Sequence, residues 1–295
     1  MGAFRFKQFE VVQNYSAMKV NTDAVLLGAW SSVPKADNDG IGDSSIPLQV
    51  LDIGTGTGVI ALMVGQRLSG NGIASHIEAV EIDANACQDA VVNFKSAPWT
   101  DISFNLHKKS LQEYAKEKSA SAKFNLIVSN PPYFISSLKN DSAAKTMARH
   151  TDSLSQRELL FHSSALLAEG GIFAVILPVA EGEELLRKVE FMAQAAVTAS
   201  SAAKATNGAT MSDPTVLGHT TAMMDTTSSQ LALFPSRICY VHTVERKPAK
   251  RLMLEFVKCH PSARPTLQRE QLVMMSGGVY TQEYTSLVGD FYLWG

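Results

Sequence analysis

Seven residues, Asp52-Ile53-Gly54-Thr55-Gly56-Thr57-Gly58, narrow the choice of fold more than any others. They lie between an apolar run, Leu48–Ile53, and an apolar helical stretch, Val59–Leu68. A buried strand that passes through a glycine loop into a helix opens a βαβ unit, and glycines let the loop turn tightly and approach a ligand closely. The pattern continues downstream. Apolar runs at His76–Ile82, Ile102–Leu106, Phe124–Val128 and Ile172–Leu177 alternate with helical patterns at Ala84–Lys95, Gln156–Ala168 and Glu181–Met192. Strands alternating with helices predict a parallel sheet with crossover helices. Arg237–Val244 and Arg251–Val257 then read as an antiparallel hairpin. The expected architecture is α/β, a Rossmann-like, seven-stranded, mostly parallel sheet with a C-terminal antiparallel hairpin.

Residues 1–48 are expected to form a segment flanking the site, and 49–295 the main domain. Two stretches read as loops: Lys35–Ser45, and Gln194–Ser229, which is built almost wholly of Ala, Thr, Ser, Gly and Met. The second buries too little apolar surface to offset its ordering entropy. It is expected to be a mobile insertion, with room for a short helix among its alanines. The helix from Ala84 is expected to place Ala86, Ala90, Val91 and Phe94 on one face.

Three signals carry chemistry. The D-x-G-x-G-x-G form differs from the dinucleotide fingerprint G-x-G-x-x-G, and an acid at its head suits an amine-bearing ligand better than a pyrophosphate. Glu81 follows 23 residues after Gly58 at the end of the next strand, near the spacing at which nucleotide folds present a carboxylate to ribose. Asp83 competes for that role but is better placed to cap the helix beginning at Ala84. The sharpest signal is Asn130-Pro131-Pro132-Tyr133, directly after the strand Phe124–Val128. Two prolines stiffen the turn and remove two backbone donors, leaving acceptors. An Asn oxygen and a proline carbonyl can accept both hydrogens of a planar amino group, while Tyr133 stacks on the ring that bears it.

Together these motifs resemble the class I methyltransferases that modify amino groups. The flanking segments Phe9–Asn14, Ala17–Trp30, Ala148-Arg149-His150-Thr151 and Asp290–Leu293 narrow the resemblance to the bacterial tRNA (adenine-N6)-methyltransferases that act on adenine-37 of a valine tRNA. The resemblance implies S-adenosylmethionine as cofactor, held by Asp52, Gly54, Thr55, Gly56, Gly58, Glu81 and Asn130. It implies a catalytic turn at Asn130–Tyr133. Family members usually carry an acid for the cofactor's adenine after the third strand; here Ser110 takes that place. Release-factor glutamine N5-methyltransferases share the Asn-Pro-Pro-Tyr turn but carry a sizeable N-terminal helical domain, and only 51 residues precede Asp52. Guanine N2 in rRNA and DNA adenine are other acceptors with an exocyclic amine. A catalytically dead RNA-binding module would have no use for the amino-group clamp.

The net charge of −2 provides no global basic field, so an RNA partner must be met by a local cationic patch. Candidates are Lys7 and Lys19 in the N-terminal arm, Lys139, Lys145, Arg149 and His150 after the catalytic turn, and Arg246, Lys247, Lys250 and Arg251 around the turn of the predicted hairpin. Three well-separated cysteines without a CxxC pair read as free thiols, with no metal site expected. No run approaches the ~20 apolar residues of a membrane span. The cytoplasm is the expected location.

Overall fold

The computed structural model describes residues 2–33, 46–118, 123–132, 154–207 and 231–293. All seven predicted strands are present, and they belong to a larger sheet. The N-terminal arm pairs β1 (Ala3–Arg5) with β2 (Glu10–Val12) as a separate two-stranded ribbon. The main sheet comprises β3 (Leu48–Ile53), β4 (Ser75–Glu81), β5 (Ile102–Lys108), β6 (Phe124–Ser129), β7 (Leu167–Pro178), β8 (Ala232–Val244), β9 (Arg251–Cys259), β10 (Gln268–Ser276) and β11 (Val279–Tyr280). Their spatial order is β11-β10-β8-β9-β7-β6-β3-β4-β5. Strands β3, β4, β5, β6 and β7 run parallel.

The predicted hairpin is antiparallel, but β9 inserts between β7 and β8. The outer strand β8 therefore runs parallel to β7, and β10 extends the sheet parallel to β8. The β10–β11 hairpin closes through Gly277-Gly278, both at positive φ. Such a turn matches the twist of paired strands, and a Gly-Gly pair permits it.

Helices cover both faces. On one lie α1 (Thr22–Trp30), α2 (Val59–Gly70), α3 (Ala84–Lys95) and the C-terminal α7 (Gln282–Val288); on the other lie α4 (Leu111–Lys118), α5 (Gln156–Leu166) and α6 (Val179–Asn207). Residues Ala24–Trp30 are all buried, as is almost all of Val59–Leu68, because α1 lies on α2 and α2 on the sheet. A helix apolar on every side needs cover on every side. The two helices approach so closely that a Cβ at Gly28 would meet Met63 Sδ at 2.8 Å. The end of α1 is tied to the far strands. Arg237 stacks 4.2 Å over the Trp30 ring and pairs with Glu270 at 2.7 Å.

Two expectations change. Helix α6 does not stop at Met192 but runs on to Asn207, so the first part of the supposed insertion is helical. Alanine has the best intrinsic helix propensity, and Ala193 and Val197, one turn apart, keep the continued helix packed in a cluster with Phe234 and Cys259. The remainder, 208–230, lies outside the described residues, as does the loop at 34–45. On α3, Ala86 and Ala90 are buried as expected, but Val91 is 39% exposed and the polar Asp89 and Asn93 turn inward. No helix among the described residues is long and apolar enough to cross a membrane.

Candidate active site

The chain order of β3, β4 and β5 proceeds toward one edge, and β6 then returns to the other side of β3. The carboxyl end of β3 is thus a topological switch point, where open α/β sheets bind ligands. All three sequence signals meet there. Ile53 pairs with Val80 on one side and with Ser129 on the other, so Gly54 lies between Glu81 and Asn130. Each neighbour is one strand spacing away, about 4.8 Å. The Ser129 hydroxyl donates to the Ile53 carbonyl at 2.9 Å, fixing the two strand ends at this level.

The glycine loop is stitched down from below and open above. Gly54 and Thr55 N–H groups donate to the Val80 carbonyl at 2.8 and 3.1 Å. Gly54 and Gly56 have φ of +70° and +58°, and a Cβ at either would meet nothing within 4 Å. The glycines therefore serve the backbone turn, and the space over them is free. Gly58 differs. Its φ is +86°, and a Cβ there would lie 2.5 Å from Phe94 Cε1, whose ring stacks on Phe104.

Asp52 is fully buried, and its Oδ2 accepts from the Thr55 hydroxyl at 2.6 Å and from the Ala61 N–H at 3.2 Å. The carboxylate thereby ties both limbs of the loop to the strand. Its Oδ1 finds no hydrogen-bond partner among the described residues. Burial pushes the Asp52 carboxyl up to about 7, against the opposing pull of those two hydrogen bonds, and the nearby Glu81 charge adds to the rise. From the ordinary value of 3.8 up to about 7, the folded protein keeps a proton that the unfolded chain has released. Stability from this group is therefore full at acid pH and is lost as pH rises through about 7. The ligand-free protein should show a thermal midpoint that falls from about pH 4 to about pH 7 and levels off above, with the fall reduced in Asp52→Asn. An unchanged slope in that variant would assign the effect to other groups.

Glu81 bends over the loop. Its Oε2 accepts from the Gly56 N–H at 2.9 Å, and Oε1 accepts from the N–H groups of Ile82 and Asp83, each at 2.8 Å. Asp83 instead caps α3 through the Asn85 N–H at 2.7 Å. Pro131 is buried and Pro132 exposed, so the turn leaves the sheet with one ring anchored. Ser110 lies at the end of β5, one strand beyond Glu81. Its hydroxyl donates to Glu113 Oε2 at 2.9 Å and accepts from the Glu113 N–H, a reciprocal cap on α4. The Lys19 ammonium is held on the carbonyls of Gln13 and Ser16, and that of Lys7 on Gly289. Arg251 pairs with Asp23 at 2.6 Å. Tyr133, Lys145, Arg149 and His150 lie outside the described residues.

Sequence reasoning passed over the pair that holds the arm against the loop. The buried Asp89 carboxylate accepts three successive N–H groups, from Asn14, Tyr15 and Ser16, at 3.1, 2.9 and 2.8 Å. Asn93, one turn further on, accepts from the Val12 N–H at 2.7 Å. It also donates to the carbonyls of Val12 and of Thr57 in the glycine loop. Their i, i+4 spacing is the signal that could have found them, since polar residues so spaced share one helix face.

A switch-point cleft with a D-x-G-x-G-x-G loop, a strand-end Glu and an Asn-Pro-Pro turn defines the class I S-adenosylmethionine-dependent methyltransferases. Residues 43–195 match the family model described as Methyltransferase small domain. The fold is also that of a solved protein from Agrobacterium tumefaciens described as a predicted O-methyltransferase. The two align with a TM-score of 0.54 at 15% identity, over 91% of this chain and 96% of that one. Closer relatives refine the placement. The tRNA1(Val) (adenine(37)-N6)-methyltransferase of Parabacteroides distasonis is 33% identical over 98% of this chain and 97% of its own length. That of Trichodesmium erythraeum is 35% identical over 98% and 97%. The chain belongs to the tRNA1(Val) (adenine(37)-N6)-methyltransferase family, and S-adenosylmethionine is its cofactor.

The residues present fit that cofactor. The free space over Gly54 and Gly56 is a cradle that side chains would fill, and the Asp52 Oδ1, which no donor among the described residues meets, would accept one from a ligand. A buried acceptor left unpaired costs about 1–3 kcal/mol, which such a donor recovers.

Proposed function

We propose that this protein transfers a methyl group from S-adenosylmethionine to N6 of adenine-37 in a valine tRNA. The observation that supports it best is the strand register, which sets Asn130 one strand spacing from Gly54 and two from Glu81, all at one sheet edge.

Each residue then has a task. The glycine loop and Asp52 hold the methionine end of the cofactor, and Glu81 takes the ribose hydroxyls, giving up its bond to Gly56. Ser110, already a helix cap, borders the cofactor's adenine. Bound cofactor supplies a methyl on a sulfonium, an electrophile with a good leaving group. The difficulty lies with the acceptor, because the N6 lone pair is delocalised into the ring. The Asn130 side-chain oxygen and the Pro131 carbonyl accept the two N6 hydrogens and favour a tetrahedral nitrogen. Holding the nucleophile in this way can supply several kcal/mol of barrier reduction, roughly as effective-molarity effects do. Fixed dipoles at the positive charge that develops on nitrogen add to it. The extra proton passes from N6 to water after transfer. Tyr133 supplies a stacking face for a base turned out of its stack, and Lys19, Lys145, Arg149 and His150 border the RNA.

Incubation with labelled S-adenosylmethionine and total bacterial tRNA, followed by nucleoside analysis, tests the proposal. N6-methyladenosine confined to one valine isoacceptor is the expected result. Label in protein glutamine, or unlabelled tRNA, would overturn it. For Glu81→Gln, cofactor affinity should fall about 10- to 100-fold, because hydrogen bonds to a charged group contribute roughly 1.5–3 kcal/mol. Calorimetric titration reads this directly, and an unchanged Kd would remove Glu81 from the ribose.

A further inference from the structure

Beyond the acceptor cleft, the strands β8 and β9 carry a second feature on the same side of the sheet. Ser129 is level with Val175, Val175 with Leu254, and Cys239 with Met253. Asn130 is therefore level with Met253 on β9 and Cys239 on β8. Strand β8 continues past that level to Val244, and its turn returns through Glu245-Arg246-Lys247-Pro248-Ala249-Lys250 to Arg251. At about 3.3 Å per residue the turn lies roughly 16 Å further along β8 than Cys239, and three strand spacings, roughly 14 Å, separate β8 from β6. It forms a post beside the cleft, with its tip roughly 20 Å from Asn130.

The tip is cationic. Arg246, Lys247 and Lys250 are all exposed, and none of their charged heads is ion-paired among the described residues. The one acid in the turn, Glu245, faces β10 and accepts from the Ser276 hydroxyl. Arg251, at the base, is already paired with Asp23. The post is stiff for a surface turn. Its backbone is tied by Lys247 N–H to Val244 O and by Lys250 N–H to Val241 O, and β10 pairs with β8 as far as Val244. Pro248 restricts Lys247 further.

Arg246 is the unusual residue. It has φ of +63° and is the only non-glycine residue at positive φ among the described residues. Glycine or asparagine adopts that conformation readily, whereas a long side chain there is strained. A cation held where glycine would relieve strain points to a demand for the charge.

We propose that this turn is a phosphate-binding post for the tRNA substrate, engaging the stem that adjoins the loop carrying the acceptor base. This rests on the tRNA reading above. Successive backbone phosphates are only a few ångströms apart, so an offset of roughly 20 Å lies several phosphates from the acceptor. The post therefore grips stem backbone, not the nucleotides beside the reacting base, and its contribution is to affinity and placement.

The test compares wild type with Arg246→Gln/Lys247→Gln/Lys250→Gln on two acceptors: a full valine tRNA transcript, and a short single-stranded oligonucleotide spanning only the loop. On the transcript, KM should rise tenfold or more with kcat nearly unchanged. The slope of log affinity against log salt should flatten by about 2–3, since each phosphate no longer neutralised removes roughly 0.7–0.9. On the oligonucleotide, the variant and wild type should match, and cofactor Kd should be the same in both. Unchanged transcript KM and salt slope, or equal losses on both acceptors, would overturn the post. Arg246→Gly provides a check independent of folding damage. It should raise the thermal midpoint while weakening transcript binding; a midpoint that rises with binding intact would mean the residue serves no RNA contact. Failure of the tRNA reading itself looks different, since wild type would then methylate neither acceptor.

Discussion

Asn130→Ala should abolish methyl transfer while leaving cofactor binding within about twofold. Removing one preorganised polar contact to the reacting group typically costs 10²- to 10³-fold in kcat, or about 3–4 kcal/mol. The effect here belongs at the upper end of that range, because the deleted oxygen is one of only two acceptors assigned to N6. The remaining acceptor, the Pro131 carbonyl, is backbone and persists in the variant. Folding should survive, since Asn130 is only half-buried and follows the last residue of β6. Single-turnover rates with labelled cofactor give the first quantity and calorimetry the second. A variant that transfers at the normal rate would refute the clamp. A variant that loses the cofactor would make holding the cofactor, the other role the resemblance implies for Asn130, its main one.

Gly58→Ala should lower stability by about 2–5 kcal/mol and remove cofactor binding with it. The left-handed backbone costs about 1–2 kcal/mol for a residue with a Cβ. Overpacking against Phe94 adds about 1–3 kcal/mol, because the 2.5 Å approach is to a ring already stacked on Phe104. Relief would require α3 to move, and α3 carries the Asn93 bond to Thr57 in the same loop. Substitution at Gly56 gives the contrasting case: backbone strain without a clash, since a Cβ there points into open space. Gly56→Ala should therefore keep more stability than Gly58→Ala while still obstructing the ligand. Denaturant midpoints measure the difference, and equal midpoints for the two variants would show that the Phe94 contact carries no energy.

Much of the site was legible because its motifs are local. A strand, a glycine loop and a helix specify one another through backbone rules that act over a few residues. The Asn-Pro-Pro turn likewise states its acceptors in its own sequence. The choice of Asp83 as a cap also followed from its position, directly ahead of the helix that begins at Ala84. What escaped was set by partners distant in the chain. On α3 apolarity suggested Val91, yet Asp89 and Asn93 take inward positions because the N-terminal arm supplies N–H groups that satisfy them. Asn93 sits 81 residues from the Val12 it binds. In the same way, β9 slips between β7 and β8, which no local pattern in a hairpin reveals.

Sequence alone therefore determined the α/β class, the glycine loop and the Asn-Pro-Pro turn proposed as the amino-group clamp, since each depends on short-range geometry and on the chemistry of adjacent residues. Tertiary structure alone decided the register that sets Glu81, Gly54 and Asn130 at one level, and the distance at which a cationic turn lies from them. It also decided that a buried carboxylate on α3 fastens the arm beside the loop. Those outcomes depend on strand order, register and burial, and these arise only when segments far apart in the chain bury their surfaces together.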